Sequence, residues 1–157
     1  MRNLFLIVFA FSTIIIACKD AAESDADKRK DGFSAAPQTR EDSLYHEVME
    51  GHDVGMAKIG EVRKYLGQVK HLRDSVGKLP ASKVDETYQQ NLMDMEEDLN
   101  YADYSMFTWM EEFKADTLRD NKEQRIKYLE AEKEKVTKVK ESILGSIHRA
   151  DSILNKK

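Results

Sequence analysis

The sequence predicts an all-α protein, an elongated antiparallel three-helix bundle with coiled-coil-like packing. Three observations carry that expectation. From Thr39 onward, apolar residues recur at alternating spacings of three and four, the stripe of a heptad helix. The two prolines, Pro37 and Pro80, stand before the first stripe and at its end, where a helix tolerates them. Over the same stretch no segment alternates with period two and no Asn-Gly or Asp-Gly pair marks a hairpin, so strands are not expected.

Each helix can be justified in turn. The first is expected over about residues 39–79, opened by Thr39-x-x-Asp42, an acidic form of the capping box. Its stripe runs through Tyr45, Val48, His52, Gly55, Ile59, Val62, Leu66, Val69 and Val76, with Arg73 at a skipped position, and Gly77 and Pro80 end it. The second, about 82–115, opens at Ser82-x-x-Asp85 and carries Tyr88, Leu92, Met95, Leu99, Ala102, Met106, Trp109 and Phe113. The third, about 120–156, opens at Asp120-x-x-Glu123. It carries Ile126, Leu129, Val136, Val139, Ile143, Ile147, Ala150 and Leu154, skipping Lys133. Short connections between long helices favour antiparallel neighbours, hence an up-down-up bundle over residues 39–157. Helices of about 33–38 residues are roughly 50–57 Å long, which makes a narrow core without a wide interior.

The chain begins MRNLFLIVFAFSTIIIACKD. Arg2, an apolar run from Leu4 to Ile16 and the small Ala17 have the order of a secretory signal over residues 1–17. The run is shorter than the roughly 20 residues that span a bilayer, which weighs against a transmembrane anchor. Ile15-Ile16-Ala17-Cys18 closely resembles the lipobox of bacterial lipoproteins. That resemblance implies cleavage before Cys18, two acyl chains on its sulfur and usually a third on its amine. The rival reading is a secreted protein with a free cysteine. Two or three acyl chains hold a protein stably on a membrane. Cys18 is the single cysteine, so once acylated it leaves no thiol for a disulfide, a zinc site or nucleophilic catalysis. Lys19, not aspartate, follows it, which by resemblance to Gram-negative sorting implies the outer membrane. Lys19-Asp20 is also similar to the start of the tag that exports some lipoproteins to the cell surface. Both faces of that membrane therefore stay open.

Residues 18–38 are small, charged and almost free of large apolar groups, the composition of a disordered tether behind the acylated cysteine. Charged residues make up 34% of the chain with both signs interleaved, at a formal net charge of −4. No basic patch points to nucleic acid, and the acidic balance gives no help in lying on anionic lipid. The chain has no glycine-framed nucleophile elbow, His-Glu-x-x-His pair or phosphate-cradling loop, so a non-enzymatic role is expected.

Two groups of residues invite a functional reading. If the first two helices fold back near Pro80, facing positions sum to roughly 162. His52 then faces Trp109 and Met110, Met56 faces Met106, and Met49 lies one turn away. Thioethers and imidazole suit Cu(I) or Ag(I), and a tryptophan face adds a cation–π contact. The competing and favoured reading is core packing, since methionine fills irregular gaps against aromatic rings and Asp53 or Glu130 can satisfy the imidazole. Gly51, Gly55 and Gly60 would let a neighbouring helix approach. The second group is Tyr101, Tyr104 and Phe107, off the main stripe of the second helix. A protein partner, a second copy or Phe33 of the tether would cover it. His46, His71 and His148 read as solvated surface residues.

In overall plan, His52-Asp53 with Met49 and Met56, and Trp109-Met110 followed by Phe113, are similar to small uncharacterised helical lipoproteins of Gram-negative envelopes. Some of these carry the label "viral A-type inclusion protein" for their coiled-coil texture. The resemblance implies the fold and carries no activity. The function expected is thus a lipid-anchored structural or protein-interaction module, with a soft-metal binder as the alternative.

Overall fold

The computed structural model describes residues 36–154, which are helical apart from two connections and the entry to the first helix. The signal segment, Cys18 and the tether up to residue 35 lie outside the described residues, as do the last three. The described residues from Pro37 onward form one compact unit. It contains α1 (Arg40–Gly77), α2 (Glu86–Glu112) and α3 (Lys122–Leu154), with a single 3-10 turn at Ala81–Lys83. All three helices pack on one another. The cross-helix pairs fix the directions. Arg63 bonds Asp103 and Arg73 bonds Glu96, so α1 and α2 are antiparallel. Trp109 bonds Glu132 and Arg149 bonds Asp98, so α2 and α3 are antiparallel too. Arg40–Glu130 and Tyr65–Asp151 run α1 parallel to α3. The bundle is the up-down-up arrangement expected.

The helix ends follow from their caps. Thr39 Oγ1 accepts from the Asp42 N–H at 3.1 Å while Asp42 Oδ2 accepts from the Thr39 N–H at 3.0 Å, a full capping box. Helix α2 starts later than the Ser82 signal suggests. Pro80 holds an extended ψ of 140°, Ala81–Lys83 make a separate turn, and Asp85 is the residue whose carboxylate accepts from Tyr88 N–H at 3.0 Å. At the other end Phe113 leaves helical geometry with ψ 123°, so α2 stops at Glu112. Helix α3 is capped by Asn121, whose Oδ1 accepts from Gln124 N–H at 3.1 Å, not by Asp120.

The core is wider than a single heptad seam. Val48, Gly55, Ile59, Val62 and Val69 are buried as the stripe predicts. Leu44, Gly51 and Tyr65 are buried as well, while their predicted neighbours Tyr45, His52 and Leu66 are only half-buried. The cause is that α1 meets two helices at once, and its second flank faces α3. Leu92, Met95, Leu99, Ala102 and Met106 of α2, with Leu129, Val136, Ile143 and Ala150 of α3, complete a core without solvent exposure.

Glycines divide by this geometry. A Cβ on Gly51 would lie 3.0 Å from Val136 Cγ1, and one on Gly55 would lie 2.3 Å from Met106 Cε. At these two, side chains of the neighbouring helices occupy the space a Cβ would need. Gly60 is different: a Cβ there meets nothing within 4 Å, so it permits no close approach. Gly67 and Gly145 are equally open. Glycine in an exposed helix interior costs about 1 kcal/mol against alanine. The triple variant Gly60→Ala/Gly67→Ala/Gly145→Ala is therefore expected to gain about 2 kcal/mol, read as a higher urea midpoint with an unchanged slope.

Candidate functional site

Two regions gather the chemistry-bearing residues. The first is the end of the bundle away from Pro80. Trp109, Phe113 and Tyr128 stack in sequence, with centroids 5.0 Å and 6.2 Å apart, and Tyr45 tilts against Phe113 at 6.3 Å. Each ring comes from a helix or helix end that converges here, so the row ties α1, α2 and α3 together. Trp109 Nε1–H donates to Glu132 Oε2 at 3.0 Å, which gives the buried carboxylate a partner. Lys135 Nζ reaches the other oxygen at 2.8 Å. That hydrogen bond to Glu132 holds the Lys135 ammonium above its usual range. Below them Arg125, 3% exposed, pairs with Glu41 and donates to the carbonyls of Ala115 and Thr117.

His52 sits beside this row, its ring 5.8 Å from that of Trp109, as the hairpin register predicts. Its Nδ1 lies 2.8 Å from Asp53 Oδ1, so Asp53 is the partner, while Glu130 is engaged by Arg40. The methionines do not behave as one set. Met106 is fully buried and its methyl rests over Gly55, Met56 packs on the core edge, Met49 is half-buried, and Met110 is 40% exposed. Among the described residues, no group of three or more His, Cys, Asp and Glu side chains is arranged to hold a metal ion.

The second region is the outer face of α2. Its sequence, ETYQQNLMDMEEDLNYADYSMFTWMEE, holds eight acidic side chains and no lysine or arginine. Those beside the helix seams are answered from the neighbours. Asp103 takes Arg63 at 2.9 Å, Glu96 takes Arg73 at 2.5 Å, and Asp94 and Asp98 share Arg149. The face that points away from both neighbours carries Met93, Glu97, Tyr101 and Tyr104, where Met93 is 46% and the tyrosines 61% and 68% exposed. These residues line an open depression of about 570 Å³ together with Gln90, Asp94, Glu96 and Asn100 and with Arg73 of α1. The Glu97 carboxylate has no hydrogen bond or ion pair among the described residues. Phe107 stands apart from the tyrosines: it turns toward α1, 37% exposed, with the Arg63 guanidinium 5.1 Å from its ring centroid.

Arg125, Glu132 and Tyr128 are the residues that periodicity does not single out. One signal exists in the sequence, for Glu132 alone. The α3 stripe skips at Lys133, and the gap is filled by its neighbour Glu132, reaching across to Trp109. Compared with known proteins, the chain matches no family model, no curated protein and no solved structure.

Proposed function

We propose that the protein is a lipid-anchored, non-enzymatic module of the bacterial cell envelope that binds another protein through the outer face of α2. The observation that carries this reading is the exposure of Tyr101 and Tyr104, 61% and 68%, side by side on a helix whose opposite face is already filled by core. Aromatic side chains give large contact area for few frozen torsions, which is why interfaces favour them. The anchor rests on Ile15-Ile16-Ala17-Cys18 and its resemblance to a lipobox, and the outer membrane on Lys19. Cells fed radioactive palmitate are expected to label the wild-type protein and to leave Cys18→Ser unlabelled. In the same cells a crosslinking survey should recover a heavier species that Tyr101→Ala/Tyr104→Ala loses. Recovery of monomer alone from both strains counts against the module.

One contact favours a second reading, a soft-metal binder: the His52 ring against Trp109 at 5.8 Å, with Met56 and Met106 on the same two helices. Anaerobic Cu(I) titration of the full chain against a competing chelator tests it. Quenching of Trp109, the single tryptophan, that His52→Ala abolishes is the expected signature. A flat trace leaves His52 as a packing residue.

A further inference from the structure

We propose that the outer face of α2 binds an arginine-bearing basic segment of its partner, with Glu97 and Tyr101 as the clamp. The proposal deepens the protein-binding reading and rests on it.

The pattern for the clamp is already occupied once within the fold. Asp103 and Phe107 stand four residues apart on α2, so they share a face. Arg63 fills that pair, its Nε donating to Asp103 Oδ1 at 2.9 Å while its guanidinium carbon lies 5.1 Å from the Phe107 centroid. A carboxylate and a ring four residues on are thus spaced to hold a guanidinium by edge and by face together. Glu97 and Tyr101 repeat the same spacing on the outward side. There the carboxylate is bonded to no cation, since the Arg73 guanidinium that lines the same depression is held by Glu96, and the ring is 61% exposed. Tyr104, one turn further, offers a second ring, and Met93, one turn before Glu97, an apolar floor beside the depression.

The charge distribution favours the same occupant. Helix α2 has no positive side chain of its own, and Arg63, Arg73 and Arg149 are spent on the seams. A second copy presenting this same face would bring like charges together, so self-pairing through it is opposed. An anionic lipid surface is opposed for the same reason. Arginine is favoured over lysine because its planar group bonds a carboxylate by its edge while its face stacks on a ring.

The test uses the full chain in non-ionic detergent and a fluorescein-labelled oligo-arginine peptide, read by anisotropy. Oligo-lysine and oligo-glutamate of equal length serve as comparisons. Oligo-arginine is expected to bind more tightly than oligo-lysine, and oligo-glutamate not to bind. Glu97→Gln and Tyr101→Ser should each weaken oligo-arginine by about fivefold or more. Glu50→Gln, an exposed α1 carboxylate with no ring four residues on, should leave binding unchanged. All three positions are exposed, and unchanged circular dichroism confirms that the variants fold. Equal binding of both cationic peptides, or an equal loss with Glu50→Gln, would mean diffuse attraction and overturn the clamp. Absence of peptide binding, with a crosslinked species that Tyr101→Ala/Tyr104→Ala still abolishes, overturns the basic partner and leaves the interaction module standing. If both signals are absent, both readings fall.

Discussion

Replacing Arg125 by methionine is expected to cost about 3–5 kcal/mol, a large share of the roughly 5–15 kcal/mol that holds a domain folded. Methionine keeps an unbranched apolar stem but lacks the guanidinium, so the loss combines the missing hydrogen bonds and charge with the space that group filled. Arg125 is 3% exposed and spends its donors on three acceptors: Glu41 Oε1 at 3.1 Å, Thr117 O at 3.0 Å and Ala115 O at 2.7 Å. Glu41 belongs to the first turn of α1, and the two carbonyls belong to the α2–α3 connection. One guanidinium therefore fastens the start of α1 to a loop also tied by the Lys114 N–H, donating to Tyr128 Oη at 2.7 Å. That loop includes Leu118 at φ 60°, a left-handed residue that costs about 1–2 kcal/mol without glycine. Without Arg125, two half-buried carbonyls lose their donor and the Glu41 carboxylate loses its cation. Arg125→Lys keeps the charge but not the fork, and should recover only part of the loss. Urea denaturation followed by Trp109 fluorescence measures both. An Arg125→Met loss below about 1 kcal/mol would show that the loop does not depend on this contact.

Gly55→Ala is the second large effect, and its sign runs against helix propensity. Alanine alone would gain about 1 kcal/mol in a helix interior. Here the new methyl would stand 2.3 Å from Met106 Cε and 3.3 Å from Ile143 Cδ1. Met106 Cε is the free end of a flexible side chain and can give way, but Met106 and Ile143 are both fully buried, so the shift must be absorbed within the core. The net expectation is a loss of about 1–3 kcal/mol by overpacking. Met106→Val removes the offending methyl. In the Gly55→Ala background it should cost at least about 1 kcal/mol less than it does alone, a coupling that a double-mutant cycle reads directly. If the single variant is more stable than wild type, α1 and α2 are further apart here than described.

These two sites show what the sequence displays and what it withholds. Spacings of three and four expose the a/d seam, so helix number, order and direction are legible from apolar residues alone. The hairpin register is legible too, since Pro80 fixes where the chain turns; it places His52 beside Trp109, and the rings meet at 5.8 Å. What periodicity misses are contacts that depend on the second neighbour of each helix. Leu44, Gly51 and Tyr65 look like flanks of a stripe, yet α3 buries them. Arg125 and Glu132 look like surface charges, because a buried polar residue is recognised by its partner and not by its position. The helix starts slip by a few residues for a related reason. Ser82, Asp85, Asp120 and Asn121 are all able to cap, and the local turn decides among them. On the candidate site, exposure of Tyr101 and Tyr104 follows from the stripe, whereas the Arg63 clamp on Asp103 and Phe107 appears only in three dimensions.

The up-down-up order also sets a timetable for folding. Contacts of α2 with its neighbours begin close to the turns: Arg73–Glu96 and Trp109–Glu132 each join residues 23 apart. The parallel α1–α3 contacts are remote, joining residues 84, 86 and 90 apart in Arg125–Glu41, Tyr65–Asp151 and Arg40–Glu130. Closing such loops is the slow part of folding small domains. During synthesis the α1–α2 hairpin is complete well before Arg149 and Asp151 emerge to meet Asp98 and Tyr65. Until α3 follows, the flank of α1 that meets it, Gly51 and Tyr65 among its residues, has nothing to cover it. Helix α3 thus serves as the latch, and a chain cut short of Lys122 will be a two-helix intermediate exposed to proteases.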